Sequence, residues 1–299
     1  MKKTLIICCL ILAVTGGVLS ALDRDSEYMA ERHIWRLNRD FTRVTRDQEN
    51  LPEAALNNLV ENYEAFLRKF SDSKLVPEAR LRLGRVFLLG KNYEAARKQY
   101  EAILKQFPNK NLITDQAYKA IISSYVLQKD YDGVLRVYKR VLKESPLTPL
   151  GFDVPLLIVK LHLKRGNRSL ADQAMTRAME HYREIIDKYP ETMSEFQAQQ
   201  FLASAYFAQQ KWRKGVQLLG ESFIRFPEPK YLSPKKADSI SKTINTVSVF
   251  QLRDPDLPIS IYQKFIEAHP GHPFNTVLQR MIQKLRKVKE ERKEFFIKK

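Results

Sequence analysis

The sequence predicts an all-α chain, a solenoid of about six helix pairs with capping helices at its ends, and three observations carry that expectation. Glycine is scarce, 10 of 299 residues, which argues against turn-dense β architectures and permits long helices. The block Leu83 to Pro108 recurs without a gap 38 residues later and closes at Ser145-Pro146; a third copy holds Leu202-Ala203-Ser204-Ala205-Tyr206 and closes at Phe226-Pro227. A stop pattern of tyrosine, two residues, two apolars, three residues and proline runs Tyr100 to Pro108, Tyr138 to Pro146, Tyr182 to Pro190 and Tyr262 to Pro270, with Tyr63 to Ser71 and Leu219 to Pro227 as variants. Start-to-start spacings of 37, 38, 44, 37 and 43 residues mark a repeat array, in which each unit buries its apolar face only against its neighbours.

Taken in chain order, Met1-Lys2-Lys3 is a basic start and Thr4 to Leu22 carries no charge. A basic n-region, an apolar run and the small-residue exit Ser20-Ala21 predict an export signal over 1–21. Uncleaved, the stretch is just long enough to anchor in a bilayer about 30 Å thick, with Lys2 and Lys3 on the cytoplasmic side. A lipoprotein is a third outcome, although Cys8 and Cys9 sit inside the apolar run rather than at its end. Residues 22–50, with alternating charges such as Asp25, Glu31, Arg32 and Arg36, suit an N-terminal capping helix. Helix pairs follow at 26–46/52–70, 76–90/93–107, 114–128/131–144, 152–165/168–188, 193–209/212–226 and 234–250/256–269. Apolar residues at i, i+3 and i+4 fill each seam and proline stops each second helix. The repeat array occupies 51–273. The junction Arg165-Gly166-Asn167-Arg168-Ser169 reads as irregular, and Ile122 and Val134 stand where the preceding copy has small residues. Residues 274–299 form a basic C-terminal helix, with nine Lys/Arg against three Glu from Arg280 onward; Met281, Ile282, Leu285 and Val288 make it amphipathic, suited to capping the array or to lying on an acidic surface.

Leu83-Gly84, Phe87, Ala96, Tyr100 and Pro108 stand at the offsets of the tetratricopeptide pattern. The chain resembles the tetratricopeptide repeat (TPR) family, and its Phe/Tyr-Pro stops are similar to those of periplasmic and outer-membrane-associated bacterial TPR proteins of the barrel-assembly or Tol/Pal-associated type. The resemblance implies a right-handed superhelical solenoid that recognises protein partners along a concave face lined by the first helix of each pair. Carried over residue by residue, the ligand-contacting positions are Arg85, Leu88 and Leu89, then Lys119, Ser123 and Val126, then Gln197, Gln200, Ser204 and Phe207. That mixture of apolar, amide and basic groups suits an extended peptide or an amphipathic helix.

Signs of catalysis are sparse. Residues 23–299 hold no cysteine, so the body has neither a disulfide nor a catalytic thiol. There is no Gly-rich phosphate loop, no G-x-S-x-G and no H-E-x-x-H. His269-Pro270-Gly271-His272-Pro273 is the single histidine cluster; two ligands three apart can share a metal, yet the prolines mark a turn that the repeat period already places there. Glu78, Glu94 and Glu101 follow helical surface spacing. The sequence therefore predicts no catalytic residue, no metal and no cofactor. Net charge is +17, or +15 once Lys2 and Lys3 leave with a signal, and such a surface draws anionic partners. Outside the cytoplasm these would be acidic proteins, envelope polymers or lipid head groups rather than nucleic acid. The expected function is an exported binding scaffold of the bacterial cell envelope, not an enzyme. The alternatives are a basic module adhering to anionic polymer or lipid, an envelope hydrolase, and a cytoplasmic adaptor.

Overall fold

A computed structural model describes residues 27–46, 51–108 and 111–297, and all of its regular elements are helical, with no strand among the described residues. The export signal or anchor expected over 1–21 lies outside the described residues. The chain divides between Thr148 and Pro149 into two compact units.

The first unit holds α1 (27–44), α2 (Glu53–Lys69), α3 (Val76–Leu89), α4 (Tyr93–Gln106), α5 (Asn111–Leu127) and α6 (Tyr131–Glu144). In α1, Ala30, Ile34, Leu37 and Phe41 fall on one stripe and pack with Leu59, Tyr63, Phe66, Ala79 and Leu83. The first helices α3 and α5 touch each other, as do α2 with α3 and α4 with α5. The second unit holds α7 (Pro149–Lys164), α8 (Arg168–Lys188), α9 (Met193–Ala208), α10 (Trp212–Arg225), α11 (Pro234–Thr246), α12 (Asp256–Ala268) and α13 (Asn275–Ile297). Its α7 touches α9, and Leu278, Ile282 and Leu285 of α13 join the core shared by α10, α11 and α12. The apolar stripe of the basic C-terminal helix is thus spent on packing.

One turn joins the helices of four pairs. Lys91, Lys129, Gly166 and Gln210 each take a left-handed conformation, with φ of 59°, 58°, 74° and 57°. In each turn the next residue returns its N–H to a carbonyl five back: Asn92 to Phe87, Asp130 to Tyr125, Asn167 to His162 and Lys211 to Tyr206, all at 2.9 Å or less. This is the Schellman closure, which satisfies carbonyls left over at a helix end. The junction expected to be irregular, Arg165 to Ser169, is therefore the same turn, built with the glycine that its backbone favours. Asn92 and Asp130 then cap the following helices by accepting from Ala95 N (3.2 Å) and Gly133 N (2.7 Å).

The stop tyrosines act at the other end of the design. Tyr63, Tyr100, Tyr138, Tyr182 and Tyr262 are all buried, and three of them return a hydroxyl to the first helix of their own pair. Tyr63 donates to Asn38 Oδ1 at 3.0 Å, Tyr182 to Phe152 O at 2.7 Å, and Tyr262 to Ser241 O at 3.0 Å. Tyr100 instead lies against Gly84, where any Cβ would overlap its ring. In the second copy the glycine doing this work is Gly133, whose missing Cβ makes room for the Tyr125 ring; Val134, expected to stand in for a small residue, is buried beside it.

Helices α5 and α7 begin at Asn111 and Pro149, three residues earlier than expected, and α11 ends as an α-helix at Thr246, giving way to a π-helical turn over Val247–Gln251. Pro155 lies inside α7. A proline there removes one N–H and pushes away the carbonyl four residues back.

Candidate functional site

The first helices of the first unit bound a concavity of about 780 Å³. Helix α3 contributes Pro77, Leu81, Arg82, Arg85 and Leu88, while α5 contributes Ile113, Gln116, Ala120 and Ser123. These residues recur at three- and four-residue steps because a helix repeats its face about every 3.6 residues. The opposite faces carry Ala79, Leu83 and Val86, and Ala117, Tyr118 and Ile121, which form the core. Amphipathicity thus aims the lining residues outward.

Charge in this concavity is predominantly positive. Arg82 stands over the Phe41 ring, 5.2 Å from its centroid, and Arg85 is exposed. Lys74, at the rim, makes ion pairs with Glu27 (3.7 Å) and Glu31 (3.4 Å). Glu78 is the lining carboxylate, and it accepts from Asn38 Nδ2 at 2.7 Å. Two arginines therefore face open space beside an apolar floor of Leu81, Leu88 and Ile113.

Of the positions expected to touch a ligand, Arg85, Leu88 and Ser123 line this concavity, whereas Leu89, Lys119 and Val126 do not. Leu89 is half-buried against the core of α1 and α2, and Lys119 and Val126 are exposed elsewhere on the surface. Ser123 donates to Lys119 O at 2.9 Å, so its proton is used by its own helix. In the second unit, Gln197 is half-buried and Ser204 exposed. Gln200 donates to Phe196 O at 3.0 Å and Ser204 to Gln200 O at 3.0 Å. Phe207 packs into the seam of its own pair, where it fills the place of a Cβ on Gly215 and stacks on Trp212 at 6.1 Å. Sequence reasoning missed Arg82, Leu81 and Gln116. The signal was available: Leu81 and Arg82 stand one turn before Arg85, and Gln116 one turn before Ala120.

A second concavity, of about 650 Å³, lies in the second unit between the loop after α10 and the turn joining α12 to α13. His269 and His272 border it, and their geometry is that of struts. His269 Nε2 meets Ile224 O at 2.8 Å and His272 Nε2 meets Pro227 O at 3.0 Å. Phe274 N donates to His272 Nδ1 at 3.1 Å, so Nδ1 is the acceptor and Nε2 carries the proton. Both rings stand edge-on to Phe265 at 5.0 Å. Among the described residues no three His, Cys, Asp or Glu side chains gather where they could hold a metal ion. The carboxylates singled out in the sequence are partnered: Glu94 with Lys98 (3.0 Å) and Glu101 with Arg140 (2.8 Å).

Helix hairpins joined by a recurring turn, with stop tyrosines bonded to first helices and an open basic-apolar concavity between α3 and α5, define an all-α helical-repeat fold. A tetratricopeptide repeat profile matches residues 60–111, the stretch from within α2 to the start of α5. No curated protein matches the chain. Solved structures similar to it include a thermophilic TPR protein of Thermus thermophilus, 16% identical, covering 70% of this chain and 98% of that one with a TM-score of 0.38. A tetratricopeptide repeat protein of Parabacteroides merdae is 12% identical over 83% and 99% of the two chains, with a TM-score of 0.32. A TPR repeats protein of Bacteroides fragilis is 15% identical over 84% and 98%, with a TM-score of 0.31.

Proposed function

We propose that the chain is an exported, non-catalytic scaffold of the bacterial cell envelope, which holds a segment of a partner protein against the first helices of its repeats. The concavity between α3 and α5 is the observation that carries this reading. Leu81, Leu88 and Ile113 offer an apolar floor, and Arg82 and Arg85 stand beside it. An extended peptide or amphipathic helix that alternates apolar and acidic side chains matches both features. The export half of the proposal rests on the sequence Met1 to Ala21, and the similarity of the Phe/Tyr-Pro stops to barrel-assembly and Tol/Pal-associated proteins suggests envelope assembly or maintenance as the setting.

The test is in-cell cross-linking in the native host, purification from the envelope, and repetition with Arg85→Glu and Leu88→Ala. One or two stoichiometric partners are expected, with recovery reduced about tenfold or more by each variant, as for residues central to an interface. Undiminished recovery by both variants would sink the groove assignment. Recovery of the chain from the cytoplasm with Met1 to Ala21 intact would sink the export assignment, and the two outcomes are independent.

A further inference from the structure

Helix α1 has two faces, and the fold uses one. Ala30, Ile34, Leu37 and Phe41 are buried. On the opposite side of the helix, at the i, i+4, i+7 and i+11 steps, stand Tyr28, Arg32, Trp35 and Arg39, flanked by Arg36 and Arg43. Tyr28 and Trp35 are 61% and 62% exposed, which is unusual for the two amphipathic aromatics in a folded chain. The Arg39 guanidinium lies 5.3 Å from the Trp35 ring centroid. Asp40 borders this face, at 3.4 Å from Arg43 and 3.9 Å from Arg39, and the exposed Glu31 stands one turn from both Tyr28 and Trp35. Glu27 and Glu31 are drawn aside by Lys74. Four arginines and two exposed aromatic rings thus share one helix face, with two carboxylates, Glu31 and Asp40, at its borders and Lys74 paired with the first of them.

We infer that this outer face of α1 lies on an anionic phospholipid surface. Arginine forks match phosphate oxygens, and excess positive charge is drawn to acidic head groups. Tryptophan and tyrosine favour the head-group level, where an apolar ring and a polar edge are both accommodated. A basic helix with aromatic residues on its free face is built to lie in that interface. The chain order agrees: residues 23–26 alone separate α1 from the uncharged stretch Thr4 to Leu22, and four residues reach about 14 Å at most. A bilayer that takes up the stretch therefore receives α1 at its surface. The inference does not depend on the α3/α5 concavity or its partner, nor on export, since acidic lipid is the only requirement.

Because Thr4 to Leu22 can attach the chain to vesicles by itself, the readout has to be local to α1. The full chain and its Trp35→Phe variant are mixed with phosphatidylcholine vesicles, with and without phosphatidylglycerol. The difference between their emission spectra isolates Trp35, since Trp212 is common to both. With phosphatidylglycerol present, Trp35 emission is expected to shift to the blue and to be quenched about twofold or more by brominated lipid, as befits a ring at head-group depth. Phosphatidylcholine alone should leave it water-like. Joint replacement of Arg32, Arg36, Arg39 and Arg43 by glutamine should abolish the response, and that variant reads the contact through an unaltered tryptophan. Three outcomes would overturn the inference: a water-like Trp35 on vesicles that contain phosphatidylglycerol, whether or not the chain floats with them; an equal response to both vesicle types, which would mean tethering alone; and a response to polyglutamate or DNA without one to vesicles, which would make the face a site for acidic macromolecules.

Discussion

Tyr182 ties α8 to α7 beside Pro155, the proline inside α7. It donates to Phe152 O at 2.7 Å and accepts from the Leu156 backbone N–H. The ring is fully buried, and burial, with the Asp153 charge adding to it, pushes the hydroxyl above its ordinary range. Replacing Tyr182 by phenylalanine keeps the ring and removes the bridge, leaving a buried donor and acceptor unpaired. A loss of about 1–3 kcal/mol is expected in urea unfolding. Tyr138, for which no comparable partner stands in α5, should lose less on the same substitution. Two histidines act in the opposite sense. Burial lowers the affinity of His33 and His181 for a proton below the ordinary value of 6.5; Lys69 and Arg36 reinforce the shift at His33, and Glu184 partly offsets it at His181. The unfolded chain therefore binds more protons than the folded one as pH drops below 6.5, so stability is full above that value and declines beneath it. Measured between about pH 6.5 and 5, before most carboxylates protonate, the decline should be shallower in His181→Gln.

At the scale of elements, the recurring unit is the turn. Its left-handed residue is Lys91, Lys129 or Gln210 in three pairs and Gly166 in the fourth. A Cβ on Gly166 would meet nothing within 4 Å. Gly166→Ala therefore isolates the backbone cost of that conformation, expected at about 1–2 kcal/mol in thermal or urea unfolding, and Gly166→Asn should recover part of it because asparagine tolerates the left-handed region. The turn also shows what was legible in the sequence. Helix pairs, their order and their stops could be read because prolines, caps and apolar steps are local signals. The equivalence of Arg165 to Ser169 with the other turns could not be read, since it lives in φ values that one glycine and three polar residues reach alike. Two of the helix starts were read three residues late, at 114 and 152, although the apolar Leu112, Ile113 and Leu150 already belong to the helices that begin at Asn111 and Pro149. The concavity was legible in part. Arg85, Leu88 and Ser123 followed from their place on the first helices, but Phe207 did not behave as a surface position. The missing Cβ at Gly215 lets its ring turn into the seam, and a sequence records the glycine without recording the direction in which its neighbour turns.

At the scale of the whole molecule, the proposed recognition would draw on charge and on the concavity in different ways. The chain carries 51 Lys and Arg against 34 Asp and Glu, and among the described residues cations such as Arg36, Lys91, Lys98, Lys119 and Lys129 are exposed outside the α3/α5 concavity. Charges of this kind act at long range and are screened by salt, so they raise the frequency of encounters with an acidic partner without holding it in place. On the proposed reading, contacts inside the concavity act at short range and would set how long the partner stays. The two contributions separate in kinetics. Between about 0.05 M and 0.5 M salt the association rate with the native partner should fall about tenfold or more, while the dissociation rate changes little. Leu88→Ala, which removes part of the apolar floor and no charge, should do the reverse and raise dissociation with association unaltered. Arg85→Glu should move both rates, since it reverses one charge in the field and also removes a cation beside the floor. Surface-plasmon measurements on the three proteins at both salt concentrations decide the matter: a salt effect on dissociation alone would mean that the charge excess is part of the bound interface, and equal kinetics for Leu88→Ala and the parent would move the partner away from α3.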